Sequence, residues 1–344
     1  MSVKVVRASA PAKVILLGGK GVNWGYPALV SAVGMRCYCT AAASSDTDRY
    51  RFSFKGRTEE GSLADVQKFK QSIDELRREK YYDKVAETAI GDFFAPVRYV
   101  LGHVTETTQR LGLDISWESE IPAGSGLGSG AAASASMVVA AMHLLGHKVE
   151  PKQVAWLAWQ GDIIAHGGVG TGLDSGASAL GGIVRYSLKD GPNAVQVGTK
   201  VPLVVGDTLI RASTATSNTA SRNWIAEHPM RMHLLEEMGM LVDQAQEALL
   251  ANELQTVGHM MNLCHLIKEK LGMSIPKIET LIEAALGAGA LGAKISGKGG
   301  GGIIVALTKP GEEEAVARAI DAAGGRGLVP EVGVPGAHIE TERS

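Results

Sequence analysis

The 344-residue sequence holds only three cysteines, Cys37, Cys39 and Cys264, an odd number that does not suit a disulfide framework and points to a reducing setting. Cys37 and Cys39 are spaced to share one face of a strand, and no further ligands at suitable spacing complete a metal site, so they read as small core residues. No uninterrupted apolar run of about 18 residues occurs, which argues against a membrane-spanning helix. The opening MSVKVVRASAPAKVILLGG lacks the continuous apolar stretch of a secretory signal. The expected protein is soluble and cytoplasmic. An excess of charge is missing too: 34 Lys and Arg balance 36 Asp and Glu, with the signs interspersed, so neither nucleic acid nor a membrane surface is an expected partner. There is no internal repeat.

What is present is enough chain for one large domain or two ordinary ones with a sizeable core. VKVVRASAPAKVILLGG reads as two short β segments interrupted by Pro11, and the segment from Leu63 to about Glu87 as a charged, amphipathic helical excursion. APVRYVLGHVTETTQRLG reads as a helix and LDISWESEI as a strand, followed by a glycine loop and a helix from about Ala131 to Leu145 that Gly146 stops. PKQVAWLAWQGDIIAH is a further helix and GGIVRYSL a strand. From Met230 to Leu286 the chain is mainly helical, and AKISGKGGGGIIVAL then joins two strands through a second glycine loop. Helices and strands mix in both halves, which predicts an α+β protein of two lobes, residues 1–195 and 196–344.

The stretch IPAGSGLGSGAAASAS, Ile121 to Ser136, places four glycines in seven positions directly before the alanine-rich helix. Glycine reaches backbone conformations closed to other residues and lets a ligand come close, while the helix start supplies unpaired N–H groups and the positive end of its dipole. Together these make an anion cradle suited to nucleotide phosphates. The competing reading is a tight strand-to-helix turn whose glycines only permit packing. Two common phosphate motifs fit poorly. A P-loop needs Gly-Lys-Ser/Thr where this chain has GSGAAA, and a dinucleotide fold needs an acid at the end of a second strand about 20 residues on.

PAGSGLGSGAAAS does resemble the Pro-x-x-x-Gly-Leu-Gly-Ser-Ser-Ala-Ala motif of the GHMP kinases, with Gly130 in place of the second serine. Three other segments are similar to that family in its order, within the mevalonate kinase branch: APAKVILLGGKGVNWGYPAL near the start, GVGTGLDSGASALGG in the middle, and LGAGALGAKISGKGGGGIIVAL towards the end. The last matches the pattern Gly-Ala-x-Gly-Ala-Lys-x-x-Gly-x-Gly-Gly-Gly. The resemblance spans about residues 9 to 307 and implies a two-lobed GHMP kinase fold, with a ribosomal-protein-S5-like N-terminal lobe and a ferredoxin-like C-terminal lobe. It also implies ATP and Mg2+ as cofactors, a small-molecule alcohol as acceptor, and a homodimer as a plausible assembly.

By that resemblance the loop Gly124, Ser125, Gly126, Leu127, Gly128, Ser129 and Gly130 wraps the ATP phosphates. Asp174 matches the catalytic aspartate; on the bare sequence it reads as a turn aspartate before a strand, capping the backbone. Lys13 lies inside the apolar run KVILL, where an unpaired ammonium is costly. It is either a strand-edge lysine reaching water or, by resemblance, the family lysine that pairs with Asp174. Ser129 and Asp162 match the magnesium-associated serine and acid, Asp162 being otherwise an exposed helix acid. His166 reads as structural or solvent-facing. Lys298 and its glycines are a flexible connector or, by resemblance, a loop that closes over the nucleotide and substrate. Gly19, Lys20, Thr219, Gly299 and Gly300 are the expected substrate-binding positions.

The acceptor end departs from the family. Gly18, Gly19 and Lys20 replace the usual Gly-Glu-His, and Ala212, Ser213, Thr214, Asn218, Thr219 and Ala220 stand against its Asp-Thr-Gly and Asn-Thr-Lys segments. The changes make the local field more positive. The expected reaction is phosphorylation of the 5-hydroxyl of mevalonate. A phosphorylated alcohol, sugar or homoserine is the alternative acceptor, and a non-catalytic nucleotide-binding role is the alternative class.

Overall fold

The computed structural model describes residues 4–106, 111–148, 150–211, 224–225 and 227–343. The order of elements is β1 (Val5–Leu17), β2 (Ala28–Ala43), β3 (Arg49–Phe54), β4 (Arg57–Ser62), α1 (Leu63–Arg78), α2 (Tyr82–Ala89), α3 (Ala95–Thr105), β5 (Leu113–Ser119), α4 (Ser129–Leu144), α5 (Pro151–Ala165), α6 (Leu173–Leu180), β6 (Ile183–Ser187) and β7 (Gly191–Val195). After these come β8 (Leu203–Asp207), α7 (Met232–Leu250), α8 (Leu254–Lys270), α9 (Pro276–Gly287), β9 (Gly292–Ser296), β10 (Ile303–Leu307), α10 (Glu313–Ala322), β11 (Arg326–Leu328) and β12 (His338–Arg343).

Among the described residues the strands form two sheets. The larger runs β12-β1-β2-β5-β3-β4, with β6 pairing β2 and β7 beyond it, and the smaller runs β11-β8-β10-β9. The larger sheet is antiparallel except where β3 lies parallel to β5. Val6, Ala8, Ala10, Ala12 and Val14, on one face of β1, are wholly buried, the opposite face is buried too from Ser9 onward, and α4 packs on β1 and β2. Alanine-rich α4 is buried nearly all round, which small residues allow because two layers can approach it closely.

One expectation fails here. Pro11 does not interrupt β1, which is a single strand of 13 residues. Its missing N–H falls where β12 no longer pairs with β1, beyond Ser9, and where the β1–β2 register shifts between Pro11 and Ala12. The proline therefore sits at a bulge. The cysteines are buried and free, as read from the sequence.

Candidate active site

Lys13 sits mid-strand on β1 with its side chain almost fully buried, and its Nζ lies 2.9 Å from Asp174 Oδ1. An ammonium in that position is tolerable because the carboxylate faces it. Asp174 is not in a free turn before a strand, as its flanking glycines suggest. It lies in the first turn of α6, where the helix dipole favours a negative charge, and β6 follows that helix. The approach to α6 is clamped: Trp159 Nε1 donates to the Gly170 carbonyl at 2.7 Å, and the Tyr186 hydroxyl donates to the Thr171 carbonyl.

The glycine loop lies against the same lysine. The Lys13 N–H donates to the Leu127 carbonyl at 2.9 Å, and a Cβ on Gly128 would stand 2.9 Å from Lys13 Cγ. Gly128 has φ of 77°, caps α4, and so combines the two demands only glycine meets, a left-handed backbone and a close neighbour. Ser125 turns inward and donates to the Pro122 carbonyl at 2.7 Å, and Leu127 is buried in the core. Gly124, Gly126 and Gly130 are exposed, leaving the loop's backbone accessible above the start of α4, which begins at Ser129.

Asp162, on α5, is buried rather than exposed, and accepts a hydrogen bond from the Ser175 hydroxyl. Burial first, and then the neighbouring Asp174 charge, push its carboxyl up to about 6; His166, Ser175 and Lys13 oppose the rise. His166 is exposed beside it, its Nδ1 at 2.7 Å from the Asp162 carbonyl.

Lys13, Asp174 and Asp162 share a cleft of about 190 Å³ with Gly126, Gly19, Lys20 and Lys298. Lys20 opens a short 3-10 turn, Lys20–Trp24, and is buried. Ser129 and Gly130 border a neighbouring cavity of about 200 Å³ whose walls include Phe54, Phe93, Phe94 and Trp117. Gly299 and Gly300 do not line the cleft; their loop reaches it through Gly297 and Lys298, while the Gly300 N–H is bonded to the Met273 carbonyl at 2.8 Å. Thr219, with Ala212, Ser213, Thr214, Asn218 and Ala220, lies outside the described residues. Among the described residues, no three His, Cys, Asp or Glu side chains group to hold a metal ion. A magnesium ion does not require that, because it keeps waters and binds phosphate oxygens with one or two protein groups. A carboxyl raised by burial, and then by the Asp174 charge beside it, is a fitting partner for it.

Three features escaped the sequence reading. Asp207 ends β8 and Thr208 follows it beside the second glycine loop, Thr208 donating from N and Oγ1 to the Gly302 carbonyl at 2.9 and 2.7 Å. Asp207-Thr208-Leu209 is thus a nearer counterpart of the Asp-Thr-Gly pattern than Ala212-Ser213-Thr214. Asp207 is buried and held bidentately by Arg211 at 2.7 and 2.9 Å. Lys268 and Lys294 are both fully buried; Lys294 donates to the Ile15 and Ile295 carbonyls and Lys268 to those of Ile295 and Gly297. Burial lowers both ammonium groups. The argument applied to Lys13, a lysine within an apolar strand, would have singled out Lys294 as well.

Residues 96–182 match the model for the GHMP kinases N terminal domain, and residues 245–326 the model for the GHMP kinases C terminal. The mevalonate kinase of Pyrococcus horikoshii is 36% identical over 345 residues, covering 98% of each chain. A crystal structure of L. major mevalonate kinase in complex with R-mevalonate superposes with a TM-score of 0.75 at 23% identity, over 96% of each chain. Lactococcus lactis galactokinase complexed with galactose reaches the same TM-score at 17% identity, over 97% of this chain and 95% of that one. Shape alone therefore does not choose the acceptor.

Proposed function

The chain belongs to the GHMP kinase family, in its mevalonate kinase branch, and on that premise we propose that it transfers the γ-phosphate of ATP to the 5-hydroxyl of mevalonate. The observation that carries the chemistry is the buried Lys13–Asp174 pair at 2.9 Å beside the glycine loop. The full-length identity to a mevalonate kinase supports the acceptor.

The adenine ring suits the aromatic cavity that Ser129 and Gly130 border, and the phosphates then run over the exposed loop backbone towards Gly126 and the cleft. Asp174 accepts the proton of the acceptor hydroxyl as its oxygen bonds to the γ-phosphorus. The bond from that phosphorus to the ADP oxygen breaks, and ADP leaves with the electron pair. Lys13 keeps Asp174 ionised and offsets charge on the transferring group. Asp162 and Ser129 would hold Mg2+, which supplies charge neutralisation at the phosphates. Gly19 and Lys20 border the acceptor end, where an ammonium complements a carboxylate. We assign Thr219, Gly299 and Gly300 to the same end, the two glycines through the shape of their loop. We divide the lobes at residues 195 and 196, with β12 returning to the first, and a homodimer in the cytoplasm completes the reading.

The test is a coupled ADP-release assay over mevalonate, phosphomevalonate, homoserine and galactose, with Asp174→Asn as control. Mevalonate should be the preferred acceptor by kcat/KM, and the variant should bind ATP yet lose about 10²- to 10⁴-fold in turnover. Preference for another alcohol would replace the acceptor, and a variant within a few-fold of the parent would remove Asp174 from its role.

A further inference from the structure

The second glycine loop, residues 297–302, brings a charge to the cleft that the scheme above leaves unused. Lys298 lines the cleft with Lys13, Asp174 and Gly126. Its loop is fixed along its length: Lys268 Nζ donates to the Gly297 carbonyl at 3.2 Å, the Gly300 N–H to Met273 at 2.8 Å, and the Gly302 N–H to Ile210 at 2.8 Å. A lysine rooted in such a loop is aimed without further ordering of the backbone. The motif that the loop matches leaves position 298 open, so the motif does not itself call for a lysine there.

The balance of charge says where it acts. Lys13 and Asp174 form an ion pair whose charges largely cancel at a distance, and Asp162 adds a second carboxylate. The transferring phosphoryl group spreads negative charge over three oxygens, and Lys13, paired with Asp174, offsets only part of it, so a further cation beside Mg2+ would stabilise the transfer. We propose that Lys298 is a second cation for the phosphoryl group in transfer, its ammonium contacting a γ-phosphate oxygen alongside Lys13. This rests on the kinase reading above. Lys13 from β1 and Asp174 from α6 act on Lys298, Lys20, Asp162 and His166 line the same cleft, and Lys268 of α8 stands behind its loop. Burial, then Lys13, depress the ammonium to about 8, with Asp174 opposing. An arriving phosphate would raise it again.

The experiment compares the full chain with Lys298→Met and Lys298→Arg, each checked for folding by thermal melting. Calorimetry with AMP-PNP and with ADP, both with Mg2+, isolates the γ-phosphate. Lys298→Met should weaken AMP-PNP by about 10- to 150-fold, the range of one charge-assisted hydrogen bond, and leave ADP within twofold. With acceptor present, kcat should fall at least about 10-fold while the acceptor KM stays within twofold. Lys298→Arg should recover most of the AMP-PNP affinity and move the alkaline fall in kcat/KM from near pH 8 to higher pH, since guanidinium stays charged. Equal AMP-PNP affinity in parent and Lys298→Met overturns the proposal. A rise in acceptor KM alone does so too, by placing Lys298 on the acceptor. Should the methionine variant not fold, an alkaline limb unmoved in Lys298→Arg decides against it. The nucleotide arm needs no acceptor, so a parent enzyme inert towards every alcohol would sink the kinase reading while leaving Lys298 to be judged by AMP-PNP.

Discussion

Two glycine-rich loops meet at the cleft, residues 124–130 with four glycines and residues 297–302 with five, and on paper they look alike. In the first, a Cβ on Gly124 or Gly126 would meet nothing nearer than 3.6 Å, and one on Gly130 nothing within 4 Å. In the second, a Cβ on Gly299 would stand 2.0 Å from the Met273 carbonyl oxygen, one on Gly301 2.7 Å from that of Ile210, and one on Gly302 2.9 Å from that of Ser125. The first loop is glycine-rich so that something from outside can come close. The second is glycine-rich so that the chain can come close to itself, its last glycine resting on the first loop. Gly128 is the exception in the first loop, since its contact is Lys13, and Gly297 in the second, where a Cβ would meet nothing within 4 Å.

The contrast can be broken by substitution, and the largest effect belongs to the second loop. Gly299→Ala combines a left-handed φ of 76° with the clash at Met273 and should destabilise by roughly 2–4 kcal/mol, read as a shifted urea midpoint with unchanged slope. A shift under about 0.5 kcal/mol would abolish the distinction between the loops. Next comes Gly128→Val, which presses on Lys13 and should weaken ATP by about 10- to 100-fold in calorimetry, the loss of one or two charge-assisted contacts. If ATP binds it normally, the phosphates lie elsewhere.

An electrostatic version uses the carboxylate beside the first loop. Asp162 is raised to about 6 in the folded chain, so folded protein binds more protons than unfolded protein between roughly pH 4 and 6, and stability falls as pH rises through that window. Asp162→Asn should therefore be more stable than the parent above pH 6, on the order of 2 kcal/mol, with the gap closing below about pH 4. Equal stabilities at pH 7 would show that Asp162 carries no such penalty. The smallest effect is expected at Gly130, in the first turn of α4 with open space around it. Gly130→Ala should add a few tenths to about 1 kcal/mol of stability and, because the nucleotide takes the open space there, weaken ATP by about 3- to 10-fold. Unchanged ATP affinity would mean that the nucleotide does not reach that space.

Much of the site was legible because it rests on local chemistry. A lysine in KVILL demands a counter-charge, and Asp174 provides it; a glycine run before an alanine helix demands a ligand or a tight turn, and the resemblance of the four segments points to a nucleotide. What the sequence concealed is what depends on distant partners. Pro11 breaks a strand by local rules, yet tertiary pairing leaves its missing N–H harmless. Asp162 reads as a helix acid on any surface, and only the packing of α6 on α5 buries it against Ser175. Gly299 and Gly300 belong to a glycine run whose contacts, Met273 among them, are set by α8 and the turn after it. Nothing near residue 338 announces that this strand will lie beside residue 9.

That last pairing bears on how the molecule is made. β1 carries Lys13 and lies between β2, the next strand in the chain, and β12, whose Arg343 stands opposite Val5. One flank of the strand can be satisfied early in synthesis, whereas the other waits for a segment more than three hundred positions later. Contacts of such long separation slow folding, because the chain must lose loop entropy before they form. Until then the strand that carries Lys13 offers an open edge, the kind of surface on which nascent chains join one another.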